Sequence, residues 1–290
     1  MMDTTAKPHP ILQILQFPIV RLLILGPLLF VAIGVSNGFM VKYATVPLVA
    51  LVAAAGMSIA GLIVYWTFVR FIEQRPVREL SFSGMGLELG AGILIGAGLC
   101  VVCVLILMAQ DVYRIEGFRP LVFALPALAM ALSSGVLEEL MYRGVLFRIV
   151  EETFGSWIAL AVSALVFGLS HYSSQEGALM GAIAISIEAG ILLAAAYMMT
   201  RRLWLGIGLH MAWNFAQSGV FSGIVSGAFN QPGLVKSTIE GPSILTGGAF
   251  GLEASLVAVL VCIVAGLAML IVSVRRGHIV PPCWKRGDQD

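Results

Sequence analysis

The chain has 290 residues, 59% of them hydrophobic and 11% charged, with a net charge of +1 and a mean hydropathy of +0.97. A soluble domain carries about 25% charged and about 45–50% apolar residues, so these values exclude an ordinary soluble domain and indicate a polytopic membrane protein. No basic patch interleaved with aromatics is present, which leaves nucleic-acid binding without support.

Residues 1–17 read as a short polar tail with two prolines. About 20 apolar residues cross the hydrocarbon core. On that length scale the charge-poor runs predict eight spans: 22–41, 43–69, 89–110, 121–150, 156–171, 178–200, 203–225 and 254–274. The first run is long and lacks an A-x-A-like cleavage site, so it reads as a permanent helix and not as a signal peptide. A polar tail, 275–290, closes the chain. The expected fold is an all-α, polytopic transmembrane helical bundle, with one membrane-embedded domain over 18–274.

Eight spans put both termini on one side. Lys and Arg collect in cytoplasmic loops. Thirteen of them, Arg143 included, fall on the side of the termini; Lys42, Arg114, Arg119 and Lys236 fall opposite. Both termini are therefore expected in the cytoplasm. Cys100, Cys103 and Cys262 lie in apolar runs and read as packing residues. The pairs Gly34/Gly38, Gly92/Gly96 and Gly219/Gly223 have the four-residue spacing that lets helix backbones approach. Residues 226–252 form the longest loop, and its Gly-rich part, 241–251, reads as a cap or a re-entrant segment. No internal repeat of the kind many transporters carry is evident.

Polar residues inside the spans carry the functional signal. Eighteen charge-free residues, Pro120 to Leu137, precede Glu138, Glu139 and Arg143. A charge at the bilayer centre costs about 2.5–3.5 kcal/mol on insertion scales, so such residues are rare and usually functional. Glu138 and Glu139 point about 100° apart on a helix. Arg143, four residues after Glu139, is spaced for an ion pair, which leaves Glu138 free to face something else. The bland alternative is a solvated helix end at the membrane surface. His171 ends the fifth span; His210 and Asn214 share a face of the seventh; Glu188 sits in the sixth, with no role the sequence fixes. Counted from the expected span edges, Glu138, His171, His210 and Asn214 fall at comparable depth, about 10–22 Å.

This inventory suits hydrolysis. A carboxylate takes a proton from water, and an imidazole holds that water. A second His and an amide donate to the oxyanion that forms when a carbonyl is attacked. A Glu with two His also has the composition of a metal site with an open position, such as zinc, although the H-E-x-x-H motif is absent. No recognised nucleophile motif is present; Ser133 and Ser134 read as packing hydroxyls.

Glu138-Glu139-x-x-x-Arg143, Phe167-x-x-x-His171 and His210-x-x-x-Asn214, in that order on separate spans, resemble the three motifs of the CPBP intramembrane proteases. That family includes the type II CAAX prenyl endopeptidases and the bacteriocin-processing and abortive-infection (Abi) membrane proteins. The resemblance covers about 121–225. It implies an eight-helix membrane endopeptidase in which Glu138 and His171 activate water, His210 and Asn214 form the oxyanion hole, and Glu139 and Arg143 support them. It leaves open whether a divalent metal takes part. Its substrate would be a peptide or membrane protein within the lipid bilayer. The lean chain suggests a bacterial inner membrane. His171 is followed by Tyr172, where eukaryotic CAAX members carry a further His, which weakens a claim of prenylated substrates. The competing reading is a non-catalytic immunity or scaffold protein of the same family that binds a peptide partner in the same cavity.

Overall fold

A computed structural model describes residues 10–43, 45–172 and 178–286. Lys7 with the rest of the first nine residues, and positions 287–290 of the C-terminal tail, lie outside the described residues. The described chain is helical but for one two-stranded sheet. Six helices are long and apolar enough to cross a membrane: α1 (Pro18–Lys42), α2 (Pro47–Ile72), α3 (Met85–Ala109), α4 (Leu121–Phe154), α6 (Ala178–Thr200) and α8 (Leu256–Arg275). Two shorter ones complete the bundle at the expected positions: α5 (Ser156–Ser170) and α7 (Trp204–Asn214), which a π-helical segment, Phe215–Val220, extends. The outer faces of the first three helices are exposed and apolar, as lipid-facing surface must be.

Local sequence explains the helix starts. Pro18, Pro47 and Pro126 stand in first turns, where the missing N–H costs nothing and φ is already helical. Ser255 caps α8, its hydroxyl accepting the Ala258 N–H at 3.0 Å.

The tightest packing joins α3 to α7. A Cβ on Gly92 would come within 2.8 Å of the Leu209 nitrogen, and one on Gly96 within 3.0 Å of its Cα. These two glycines thus act as the small-residue spacing predicts, and they seat α7 immediately beside His210. Gly34 and Gly38 do not: open space surrounds both. Their small size lets no other helix approach, and Gly34 instead lines a cavity.

Charge is concentrated at one end of the bundle. Glu73, just past α2, accepts from Arg148 of α4 at 2.6 and 2.9 Å and from Arg75 at 2.7 Å. Arg75 also reaches Glu79 at 2.6 Å, and Tyr65 donates to Glu79 at 2.6 Å. Arg21 of α1 pairs with Glu152, and Arg201 with Glu151. The other end carries the sheet, in which β1 (Tyr113–Phe118) pairs antiparallel with β2 (Val235–Ile239). Arg119, just past β1, ties down the entry to β2 through the Gly233 and Val235 carbonyls, at 3.2 and 2.8 Å. The long Gly-rich loop is therefore a cap over the bundle and not a span. Phe250 in it lies against Gly181 and Gly227.

Candidate active site

Helix α4 changes winding just after the Glu pair. Residues Leu125–Glu139 are α-helical and Leu140–Phe147 are π-helical. Such π-segments are rare and frequently sit at functional sites. Two more occur beside motif residues, Ser186–Ile191 in α6 and Phe215–Val220 after Asn214.

Arg143 is fully buried, as is Glu139, so the solvated-end alternative does not hold, and Arg143 is not one of the loop cations that report topology. Arg143 Nη1 donates to Glu139 Oε1 at 2.7 Å. Its Nη2 donates to the Gly190 carbonyl at 3.1 Å, within the π-segment of α6. The guanidinium carbon lies 4.8 Å from the centre of the Phe167 ring, a cation–π distance. One cation thus ties α4, α5 and α6 together at the level of the motifs.

Glu139 also accepts from His210, whose Nδ1–H lies 3.2 Å from the same Oε1. This leaves the His210 Nε2 facing Glu138, at 3.9 Å from Oε2. His171 is oriented in the same way. Its Nδ1 donates to the Phe167 carbonyl at 2.8 Å, and its Nε2 stands 3.9 Å from the same Glu138 Oε2. Glu138 Oε2 has no hydrogen-bond partner within the described residues. Its side chain keeps 13% exposure where Glu139 keeps 1%, so the roughly 100° between neighbours on the helix does separate the two carboxylates.

Asn214 lies one turn beyond His210. Its amide donates to Ser134 Oγ at 3.0 Å and approaches Met130 Sδ at 3.9 Å. Ser133 bonds Ser36 of α1 at 2.5 Å and is a packing hydroxyl, as expected. Ser134 is more than that: it holds the Asn214 amide and lines the cavity. The serine beside His171 also has a part. Tyr142 donates to Ser170 Oγ at 2.6 Å, and that oxygen is 3.4 Å from His171 Nδ1.

Glu138, His171, His210 and Asn214 all line one cavity of about 700 Å³. Its remaining wall comes from α1, α6 and the cap, and is mostly apolar. Two further carboxyls belong to it, Glu188 of α6 and Glu253, just before α8. Glu188 takes a hydrogen bond from Cys262 at 3.2 Å, so Cys262 is not purely a packing residue. Cys100 and Cys103 are buried, as expected. The one signal for Glu253 in the sequence is its place as the last charge before the run that becomes α8.

Among the described residues, no group of three or more His, Cys, Asp or Glu side chains is arranged to hold a metal ion.

Residues 120–216 match the family model described as type II CAAX prenyl endopeptidase Rce1-like. The match is consistent with the CPBP family and contains all seven motif residues. No curated protein and no solved structure matches the chain.

Proposed function

We propose that the chain is a CAAX-protease-type intramembrane endopeptidase that hydrolyses a peptide bond of a membrane-associated peptide or protein. The observation that carries the reading is the pair of equal separations at Glu138: Oε2 stands 3.9 Å from Nε2 of His171 and 3.9 Å from Nε2 of His210, inside a largely apolar cavity. These gaps exceed a hydrogen bond and match the span that one bridging water covers.

Each side chain then has a task. Glu138 takes the proton from the attacking water. The His171 Nδ1–H is engaged by the Phe167 carbonyl, which turns the Nε2 lone pair to the cavity, where it accepts the water's second hydrogen. Hydroxide adds to the scissile carbonyl. His210, steadied by Glu139, and Asn214 face the oxygen that becomes negative; an imidazolium at His210 donates to Glu139 through Nδ1 and to the oxyanion through Nε2. For Asn214 the cost of engaging is small, because its contact with Met130 Sδ is weak. Collapse of the tetrahedral adduct breaks the C–N bond, and the proton held by Glu138 passes to the leaving amine. The domain proposed for this chemistry is 18–274, with both termini in the cytoplasm of a bacterial cell.

The test uses the purified full chain in detergent, a library of internally quenched peptides, and cleavage sites mapped by mass spectrometry. Wild type is expected to cleave and Glu138→Gln to be inactive, with both proteins equally folded. A chelator arm reads any metal dependence. Equal cleavage by wild type and Glu138→Gln, or none by wild type across the library, would favour the non-catalytic reading in which the cavity only binds a peptide.

A further inference from the structure

The cavity holds two carboxyls that the hydrolytic chemistry does not use. Glu188 is 1% exposed. Its Oε1 accepts from Cys262, and its Oε2 has no partner within the described residues. Glu253 is 3% exposed, and its Oε2 is fixed by the Ser226 N–H at 2.6 Å and the Ser226 hydroxyl at 2.9 Å. Ser226 adopts a left-handed backbone conformation (φ 49°) within the cap, so the cap itself aims Glu253. Glu253 lines the same cavity as His171 and His210.

The balance of charge in the cavity points one way. Among the described residues that line it, Glu138, Glu188 and Glu253 are acidic and none is Lys or Arg. Arg143 is spent on Glu139 and on backbone carbonyls. A buried carboxyl with an unmet oxygen is costly unless a proton, a donor or a cation meets it. A substrate carboxylate brought into this cavity is repelled; an ammonium or guanidinium group on an aliphatic stem fits both the apolar wall and the unmet Glu188 oxygen.

We propose that Glu188 and Glu253 form a cation subsite that takes a lysine or arginine side chain of the peptide substrate beside the scissile bond. This rests on the endopeptidase reading for the substrate's class, but binding at the subsite does not require turnover.

The test therefore measures binding on the full-length Glu138→Gln protein in detergent. The probes are fluorescent leucine–alanine decapeptides carrying one lysine, moved through each position, and matched peptides with norleucine in its place. For at least one position the lysine peptide is expected to bind about 10- to 100-fold tighter, the range for a hydrogen-bonded charge. Adding Glu188→Gln or Glu253→Gln, which keep shape and volume, should erase most of that preference and leave the norleucine peptides unchanged. Thermal melts and gel filtration confirm the fold of each variant, and the lysine–norleucine difference in the parent protein stands whether or not the variants fold. Equal affinity for the two peptide series at every position overturns the proposal; the two carboxyls then simply share a proton. A lysine preference that survives both substitutions overturns it as well. A lysine preference lost in the variants supports the subsite even if the wild type cleaves nothing, in which case the protease reading alone fails.

Discussion

Glu139 holds His210 and Arg143 with a single oxygen: Oε1 accepts from His210 Nδ1 at 3.2 Å and from Arg143 Nη1 at 2.7 Å. The carboxylate next in sequence to Glu138 is thus the mount on which one imidazole of the site is fixed, and Arg143 is what makes that buried mount tolerable. Both members of the Glu139–Arg143 pair are fully buried. Removing one partner of such a pair leaves an uncompensated charge, a loss of about 3–5 kcal/mol.

Arg143→Ala is accordingly expected to lower the melting temperature in detergent, and membrane accumulation with it, as well as any activity. Glu139→Gln keeps an acceptor oxygen for Arg143 and His210 but removes the charge that compensates the buried guanidinium, so it too should lower the melting temperature and loosen the hold on His210. A wild-type melt for Arg143→Ala would mean that the pair contributes little in the folded chain.

The clustered carboxylates at the charged end set a limit toward acid. Burial pushes the Glu73 carboxyl up, but Arg148 and Arg75 outweigh it and hold the group below its ordinary value of 4.5. Glu79 behaves alike: burial raises it, Arg75 and Arg148 more than offset this, and it too lies low. A carboxyl depressed in the folded state stabilises the fold fully above its unfolded value and loses that contribution as pH falls through the folded value. Melting temperature should therefore be level from neutral pH down to about 5 and decline below the ordinary value of 4.5. Glu73→Gln should start lower at neutral pH and show a shallower decline. An identical acid profile in that variant would remove Glu73 from the account.

Much of this was legible because it is local. A charge-poor apolar run writes its helix into composition: all eight runs are helical near their expected limits, and six of them are long and apolar enough to cross a membrane. Glu138, Glu139, Arg143, His171, His210 and Asn214 stood out because polar groups in such runs are costly, and the structure brings all six together. What was not legible is long-range. The β1–β2 sheet joins Tyr113 to Ile239, and neither segment alternates strongly enough to announce a strand. Glu253 is the last charge before the run that becomes α8, and only the fold of the cap turns it inward. Gly34 and Gly38 have the same spacing as Gly92 and Gly96, but spacing cannot tell a glycine facing another helix from one facing open space. The π-segments have no sequence signature at all.

Topology is testable with the chain's own thiols. Cys283 is exposed beyond α8, and the other three cysteines are buried. With both termini cytoplasmic, a membrane-impermeant maleimide should label Cys283 only after the cells are opened. Phe118→Cys, at an exposed position on β1, should label in intact cells. Labelling of Cys283 from outside would invert the arrangement.

The proposed mechanism, with Glu138 as base and Asn214 as oxyanion donor, predicts three different kinds of loss. Glu138→Gln keeps the shape, removes the base, and should bring turnover to background with folding unchanged. Asn214→Ala removes one oxyanion donor while base and water remain, and a comparable loss elsewhere is about 100- to 1000-fold in rate, so this variant should be slow but measurable. Ser134→Ala removes neither base nor donor. It removes the hydroxyl that accepts from the Asn214 amide at 3.0 Å, so the amide is no longer steered, and the expected loss is smaller, on the order of 10-fold or less and confined to kcat. Combining Ser134→Ala with Asn214→Ala should then cost no more than Asn214→Ala alone, since residues that act as a unit are not additive. Single-turnover rates on a cleaved peptide distinguish the three. If the serine and asparagine losses instead multiply, Ser134 acts on the substrate directly, and Asn214 is held in place by other means.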